Sequence, residues 1–247
     1  MAFQTIFKRY EQKYLLTAEQ KDKVIKAMAP HMKPDKYGRS TIRNLYFDTD
    51  SYLLIRRSIE KPAYKEKLRV RCYSKADDDT TVFVELKKKY KHVVYKRRIS
   101  LPDAESMKWL TGNSSLCKGT QISAEIDYFL DYYKTLHPTA FLSYEREAYY
   151  SKEDLDFRVT FDENVLCRTD DLSLRSDVYG KAILPEGSVL MEIKSSGGIP
   201  LWMTEILSAE HLYKTSFSKY GTAYQNMILP KLVHTKTYNS KEESINV

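Results

Sequence analysis

Basic side chains recur at every second position along several short segments of this 247-residue chain. In the clearest segment, Lys67, Arg69 and Arg71 alternate with apolar residues, so the three cations share one side of a predicted strand. Arg can bind phosphate oxygens through two nitrogens at once, and Lys supplies a mobile point charge. The pattern therefore indicates a strand face suited to a phosphate-rich anion.

The same spacing places further charged residues on predicted strand faces. The other cations at such positions are Lys13, Lys87, Lys96, Arg98, Arg146, Arg158 and Lys194, and the carboxylates are Glu11, Glu85 and Glu192. Like charges opposite one another destabilise a sheet, so we expect a multivalent anion, predicted to be a polyphosphate, to compensate the cations. The three carboxylates are predicted to hold a divalent metal that bridges phosphate oxygens.

The alternative is a solvated sheet face whose charges serve solubility alone. It fits a single strand, but it fits the whole set poorly, because solubility alone would mix acids and bases freely. The chain has 33 Asp and Glu residues and places few of them on these faces. If the sheet closes into a barrel with its apolar side outward under helices, the cations line the lumen.

Alternation with a period of two residues predicts the strands that carry these side chains. The predicted strands are 9–14, 41–47, 67–73, 81–87, 93–101, 142–150, 157–161 and 189–194. A capping box at Thr17 and Gln20 predicts a helix that Pro30 closes, and further helices are predicted at 103–110, 124–136, 201–213 and 219–229. Strands therefore dominate an α+β fold.

Composition narrows the class of protein. There are 40 Lys and Arg against 33 Asp and Glu, the pI is about 9.0, and the mean hydropathy of −0.54 comes with no apolar run long enough to span a bilayer. The N-terminal residues do not resemble a secretory signal, so a soluble, cytoplasmic protein is expected. Cys72, Cys117 and Cys167 are spaced for neither disulfides nor zinc. We predict one domain over 1–235 and a polar tail over 236–247.

Nine motifs occur in order along nearly the whole chain, from about residue 7 to 227. They are RYEQKY at 9–14, NLYFDT at 44–49, KLRVRCY at 67–73, VFVELKKK at 82–89, YKRR at 95–98, SYEREAY at 143–149, FRVTFD at 157–162, LMEIK at 190–194 and SFSKY at 216–220. Together they resemble the catalytic domain of the vacuolar transporter chaperone (VTC) family, among the triphosphate tunnel metalloenzymes. The resemblance implies a closed eight-stranded antiparallel barrel with helices outside and a C-terminal helix capping one mouth.

The same resemblance implies a phosphotransferase that moves the terminal phosphoryl group of ATP onto a growing polyphosphate chain with Mn²⁺ or Mg²⁺. The residues assigned to catalysis are Arg69, Arg71, Lys87, Arg146 and Arg158. Those assigned to phosphate binding are Lys13, Lys67, Lys96, Arg98, Lys194 and Lys219, and those assigned to the metal are Glu192, Glu11 and Glu85. Arg9 replaces a glutamate that related triphosphatases carry, which favours synthesis over hydrolysis, and Ser216 stands where a second basic residue is expected.

Other functions stay open at this point. A non-catalytic module that binds polyphosphate or inositol polyphosphate would use the same cations, and a triphosphatase would differ only in having water as the attacking group. The KKKYK run at 87–91 could bind nucleic acid, but no known nucleic-acid motif accompanies it, so no nucleic acid is expected. The partners expected are ATP and polyphosphate for a monomer without a membrane span, and polymer export would require a membrane-protein partner.

Overall fold

One antiparallel sheet of eleven strands organises the residues that this computed structural model describes, which are 10–91, 93–112, 119–154 and 156–233. The strands are β1 (Tyr10–Thr17), β2 (Met32–Pro34), β3 (Ser40–Asp48), β4 (Tyr64–Cys72), β5 (Thr81–Tyr90), β6 (Val93–Pro102), β7 (His137–Ser151), β8 (Arg158–Arg168), β9 (Lys181–Ala182), β10 (Ser188–Ser195) and β11 (Lys214–Thr215). The eight strands predicted from alternation are all present. The three short strands β2, β9 and β11 were not predicted.

The sheet is open, so the prediction of a closed eight-stranded barrel needs correction. The hydrogen-bonded order is β11-β1-β10-β8-β7-β3-β4-β5-β6, with β2 beside β7 and β9 beside β8. The short strand β11 pairs with Lys13 and Tyr14 and so occupies part of the β1 edge that closure would need. The sheet is nevertheless strongly curled, since the Lys87 ammonium on β5 comes within 3.5 Å of the Glu11 carboxylate on β1.

Helices flank this sheet in the described ranges. They are α1 (Ala18–Met28), α2 (Leu53–Ile59), α3 (Asp103–Thr111), α4 (Gln121–Tyr133), α5 (Leu201–Ala209) and α6 (Lys219–Ala223), which continues as a π-helix over Tyr224–Ile228. The predicted helices are present, although α5 ends four residues earlier than the pattern indicated. The short helix α2 was not predicted.

Three apolar clusters hold these elements together. On the convex side of the sheet, Trp109 of α3 and Ile126 of α4 pack against one part of the sheet. Val24 of α1 and Met203 of α5 pack against another part. The third cluster brings Leu142 together with residues of α6. Leu142 shares its strand face with Arg146, four residues along, so this cluster lies beside the cations on the concave side of the sheet.

Several sequence predictions concern other parts of the chain. None of the helices in the described ranges is long and apolar enough to cross a bilayer. Cys72 and Cys167 are buried free thiols, in agreement with a spacing that fits no disulfide. Cys117, Arg9 and the predicted tail at 236–247 lie outside the described residues.

The capping box predicted for α1 is confirmed. The Gln20 amide nitrogen donates to Thr17 Oγ1 at 3.2 Å, and the Thr17 amide donates to Gln20 Oε1 at 3.0 Å. Both bonds satisfy backbone donors that a free helix end would leave without partners.

We expect Thr17→Ala to lower the free energy of unfolding by about 1 kcal/mol, because it removes one of these bonds. Urea unfolding would measure the change. Thr17→Ser, which keeps the hydroxyl, should stay close to the parent, and an equal loss in both variants would contradict a capping role.

Candidate functional site

The concave face of the sheet surrounds a cavity of about 1120 Å³. All fourteen residues that the sequence assigned to the site line this cavity. They are the cations Lys13, Lys67, Arg69, Arg71, Lys87, Lys96, Arg98, Arg146, Arg158, Lys194 and Lys219, and the carboxylates Glu11, Glu85 and Glu192. The structure therefore brings the set together, while the individual roles stay predictions.

On one side of the cavity, strand register places acids opposite bases. Lys13 on β1 pairs with Glu192 on β10, and Glu11 pairs with Lys194. Burial would raise the pKa of the Glu11 carboxyl, but Lys87 and the other nearby ammonium groups outweigh it and lower the pKa to about 2. This side of the cavity is thus partly compensated by its own charges.

On the other side, register places like charges opposite one another. Lys87 on β5 pairs with Lys67 on β4 and with Lys96 on β6. Burial, together with repulsion from Lys87 and Lys13, lowers the pKa of Lys67 to about 7. Burial also lowers the pKa of Lys96 to about 8, although Glu85 opposes the shift. Lys67, Lys87 and Lys96 form a lysine row across the three strands. Lys67 carries its full charge at neutral pH only when an anion binds beside it.

Glu85 is the centre of a cluster of three cations. The carboxylate is 1% exposed and accepts hydrogen bonds from Arg69 Nε at 2.9 Å and Arg98 Nε at 2.8 Å, while Lys96 Nζ lies 2.7 Å away. Burial opposes ionisation, but Arg69, Arg71 and Lys96 hold the pKa of Glu85 well below its usual range. A metal at Glu85 would have to displace the cations of this cluster, so here the carboxylate acts as their counter-ion.

Asp162 has the same function for two other cations, and the sequence analysis missed it. Arg146 donates to both of its oxygens, at 2.6 and 2.7 Å, and Lys219 of α6 donates to one of them. Burial would raise the pKa of Asp162, but Lys219 and Arg146 lower it overall. Its place at the end of the FRVTFD motif, four residues after Arg158, puts it on the cation-bearing face and could have identified it.

Arg71 is a buried cation held by neutral groups. It is 7% exposed, and it donates to Asn44 Oδ1 and to the Tyr144 hydroxyl, both at 2.9 Å. Burial would raise the pKa of Tyr144, but the guanidinium groups of Arg71 and Arg146 outweigh it and lower the pKa. Neutral partners orient the Arg71 guanidinium without cancelling its charge, which leaves it suited to an anion.

Further tyrosines that the sequence analysis missed hold other guanidinium groups. Arg69 donates to the Tyr46 hydroxyl at 3.0 Å, and Arg98 donates to the Tyr73 hydroxyl at 2.9 Å. Tyr46 is cross-strand to Arg69 in the sheet register. Alternation assigns a tyrosine to a strand face, but it does not distinguish one that holds an arginine from one that fills the core.

The donors that fit a divalent ion are at Glu192. Its oxygens lie 3.5 to 3.8 Å from four cations of the described chain, which are Lys13, Lys219, Lys194 and Arg146. These separations exceed the hydrogen-bond lengths at Glu85 and Asp162, so lone pairs of Glu192 are available to a metal. Thr160, which is cross-strand to Glu192, has a buried Oγ1 without a hydrogen-bond partner in the described structure.

A metal at this point would need ligands from its substrate. Within the described ranges, His, Cys, Asp and Glu side chains nowhere form a group of three that could hold an ion. Mg²⁺ is commonly bound through one or two carboxylates together with substrate phosphates. Glu192, with Glu11 close by on the neighbouring strand, meets that requirement.

Comparison with known families places this geometry in context. The model of the VTC domain matches residues 8–228, which is most of the chain. The chain belongs to the VTC domain family. A search of curated proteins finds no match to it.

Solved structures similar to this VTC domain include two candidate adenylate cyclases. A candidate adenylate cyclase from Bacillus halodurans is 15% identical, with a TM-score of 0.53 over 87% of this chain and 96% of the other. A candidate adenylyl cyclase from Hippeastrum with a dominant triphosphatase activity is 16% identical, with a TM-score of 0.51 over 87% and 94%. At these identities the likeness shows a shared fold.

The lysine row predicts that binding of triphosphate takes up protons. At about pH 8 Lys67 is largely neutral, and a bound polyanion raises the pKa of both Lys67 and Lys96. Affinity should therefore fall as pH rises from about 7 to 9. Calorimetry in buffers of different ionisation enthalpy measures the uptake. Lys67→Arg, which stays charged, should reduce it, and a binding heat independent of buffer would contradict the prediction.

Glu85→Gln distinguishes a counter-ion from a metal ligand. Removing the acid leaves three cations repelling one another, so the variant should lose on the order of 2 kcal/mol of stability, which triphosphate should restore. Without metal, the variant should bind triphosphate more tightly than the parent, whereas Arg69→Gln should bind it more weakly. Thermal melts with and without triphosphate in a chelator measure both effects. Weaker binding by Glu85→Gln would count against the counter-ion assignment.

Proposed function

We propose that this VTC domain is a polyphosphate polymerase, which transfers the γ-phosphoryl group of ATP to the end of a growing inorganic polyphosphate chain. The observation that carries the proposal is the charge of the cavity. Eleven cations and four carboxylates line it. Such an excess is suited to two polyanions at once, the nucleotide and the polymer.

Assembling these two anions is the costly step of the reaction. Phosphoryl transfer leaves the protein little covalent chemistry, since it depends on alignment and on neutralising the equatorial oxygens. Arg71, with its neutral partners, and Arg69, held by Glu85 and Tyr46, are preorganised donors for that charge. The lysine row of Lys67, Lys87 and Lys96 can follow an extended phosphate chain as point charges.

The acceptor is a terminal phosphate, whose second pKa near 6 makes it an anion at neutral pH. A general base is therefore not required for attack. Consistent with this, no His is among the cavity-lining residues of the described chain. The proposed work of the protein is to hold donor and acceptor in line and to exclude water from the reacting phosphorus.

Glu192, with Glu11 nearby, is the proposed holder of a divalent ion, Mn²⁺ or Mg²⁺. When bound, the ion would supply charge neutralisation between phosphate oxygens. Burial opposes ionisation of Glu192, but Lys219, Lys13 and Lys194 hold its pKa well below the usual range. The carboxylate is therefore ionised and ready to bind a cation at any physiological pH.

A triphosphatase is the second candidate, and the activity of the structural neighbour from Hippeastrum favours it. Both reactions require the phosphoryl donor to be bound in the same way, and they differ in whether water or a phosphate attacks. Incubation of the purified chain with ATP and Mn²⁺ or Mg²⁺ separates them. Formation of long polymer would support the polymerase. Release of free phosphate alone would indicate a triphosphatase, and tight binding of ATP without turnover would indicate a binding module.

Glu192→Gln should lower turnover by at least tenfold while changing metal-free ATP binding by less than about threefold, because the carboxylate holds the ion and not the nucleotide. Arg71→Gln is the comparison, since it should weaken ATP binding and polymer formation together. Gel detection of polymer and equilibrium binding of nucleotide supply the two readouts. Equal losses of rate and binding in Glu192→Gln would contradict the metal assignment.

A further inference from the structure

The cation-bearing face of the sheet continues beyond the cavity. Lys65 precedes Lys67 by two residues on β4, and Lys89 follows Lys87 by two residues on β5, so both keep the same orientation as the lining lysines. Lys65 and Lys89 are directly opposite in the register. Neither is among the residues that line the cavity. They therefore extend the lysine row outward from the edge of the site.

These two lysines lack acidic partners in the described chain. No carboxylate lies within ion-pair distance of either, and the Lys65 ammonium donates to the Ser58 carbonyl at 3.2 Å. Burial and repulsion from Lys89, Lys87 and Lys61 lower the pKa of Lys65. A half-buried pair of opposed ammonium groups is unfavourable in itself, which points to an anion that occupies the position.

Lys88 shows what an ordinary lysine on this strand looks like. It lies between Lys87 and Lys89, its side chain is on the opposite face of β5, and it forms an ion pair with Glu125 of α4 at 3.7 Å. Lys75, an exposed lysine elsewhere in the structure, also pairs with an acid, since its ammonium lies 2.7 Å from Asp177. The lack of an acidic partner at Lys65 and Lys89 thus distinguishes these two residues from Lys88, on the opposite face of the same strand pair.

We propose that Lys65 and Lys89 form a track that binds the part of a long polyphosphate chain lying outside the cavity. The identity of the ligand rests on the proposed function. From Arg71 to Lys65 the cationic face of β4 runs roughly 20 Å at about 3.3 Å per residue. A triphosphate is too short to span that length, so the track discriminates long chains from short ones.

The arrangement favours an inorganic polyanion over a nucleic acid. Proteins that bind single strands place aromatic rings beside the cations, so that bases can stack. Here Tyr64 and Tyr90 lie on the opposite face of the strands, where they pack against each other with ring centroids 6.5 Å apart. The track thus offers charge without a stacking surface.

Binding of triphosphate and of a long-chain polyphosphate to the whole chain, without metal or ATP, tests the track. The double variant Lys65→Gln with Lys89→Gln should bind the long chain about tenfold more weakly, a loss of about 1.4 kcal/mol, and should bind triphosphate within about twofold of the parent. Lys88→Gln is the matched control, since it removes one charge from the other face and should change neither affinity. The double variant Lys65→Arg with Lys89→Arg should keep the affinity of the parent for the long chain.

Three results would overturn the track. They are an unchanged long-chain affinity in the double Gln variant, equal losses for both ligands, and a single-stranded RNA of matched charge that binds the parent as tightly as the long polyphosphate does. The outcome is independent of turnover, because it is measured without ATP. If the protein makes no polymer but the double Gln variant still loses affinity only for the long chain, the track is supported and only the proposed polymerase activity is contradicted.

Discussion

Mutual repulsion among cations on one concave surface is the constraint on which the rest of this structure depends. A sheet that turns ten basic side chains toward one cavity, with Lys219 of α6 as an eleventh, is stable only if their charge is offset. Glu85 and Asp162 do so at two fixed points, each binding cations at hydrogen-bond distance. Elsewhere the offset is incomplete, and burial together with repulsion from neighbouring cations lowers the pKa of Lys67 on β4 and of Lys96 on β6. The same uncompensated positive charge therefore lowers the stability of the free protein and favours the binding of an anion.

This division gives the carboxylates of the cavity two different functions. Where a carboxylate is saturated by close cations, as at Glu85, it fixes the positions of guanidinium groups and has no lone pair left for a metal. Where the cations lie farther away, as at Glu192, the carboxylate stays open to a further ligand. Distance alone separates residues that share a residue type and a strand position, and the sequence contains no such distances.

The predictable part of the molecule is the part that follows from alternation. Eight strands and the convergence of thirteen side chains could be read from the sequence because a strand's faces repeat every second residue, whereas Lys219 of α6 was assigned from the family resemblance. The open edge could not, because pairing at the ends of a sheet depends on short strands such as β11, which has two residues. Helix α2 was missed for a similar reason, since it has only seven residues and follows Tyr52, whose backbone is in the left-handed conformation. Asp162 was missed because it lies at the end of a motif read mainly for its arginine.

The unsealed edge of the sheet has a mechanical consequence. Most of the wall around the cavity is joined by backbone hydrogen bonds, whereas β5 faces β1 through the charged contact between Lys87 and Glu11. Dissolved ions weaken a contact of this kind far more than they weaken a backbone ladder. We therefore expect the distance across this contact to depend on ionic strength and on the charge of the bound ligand more than the rest of the wall does.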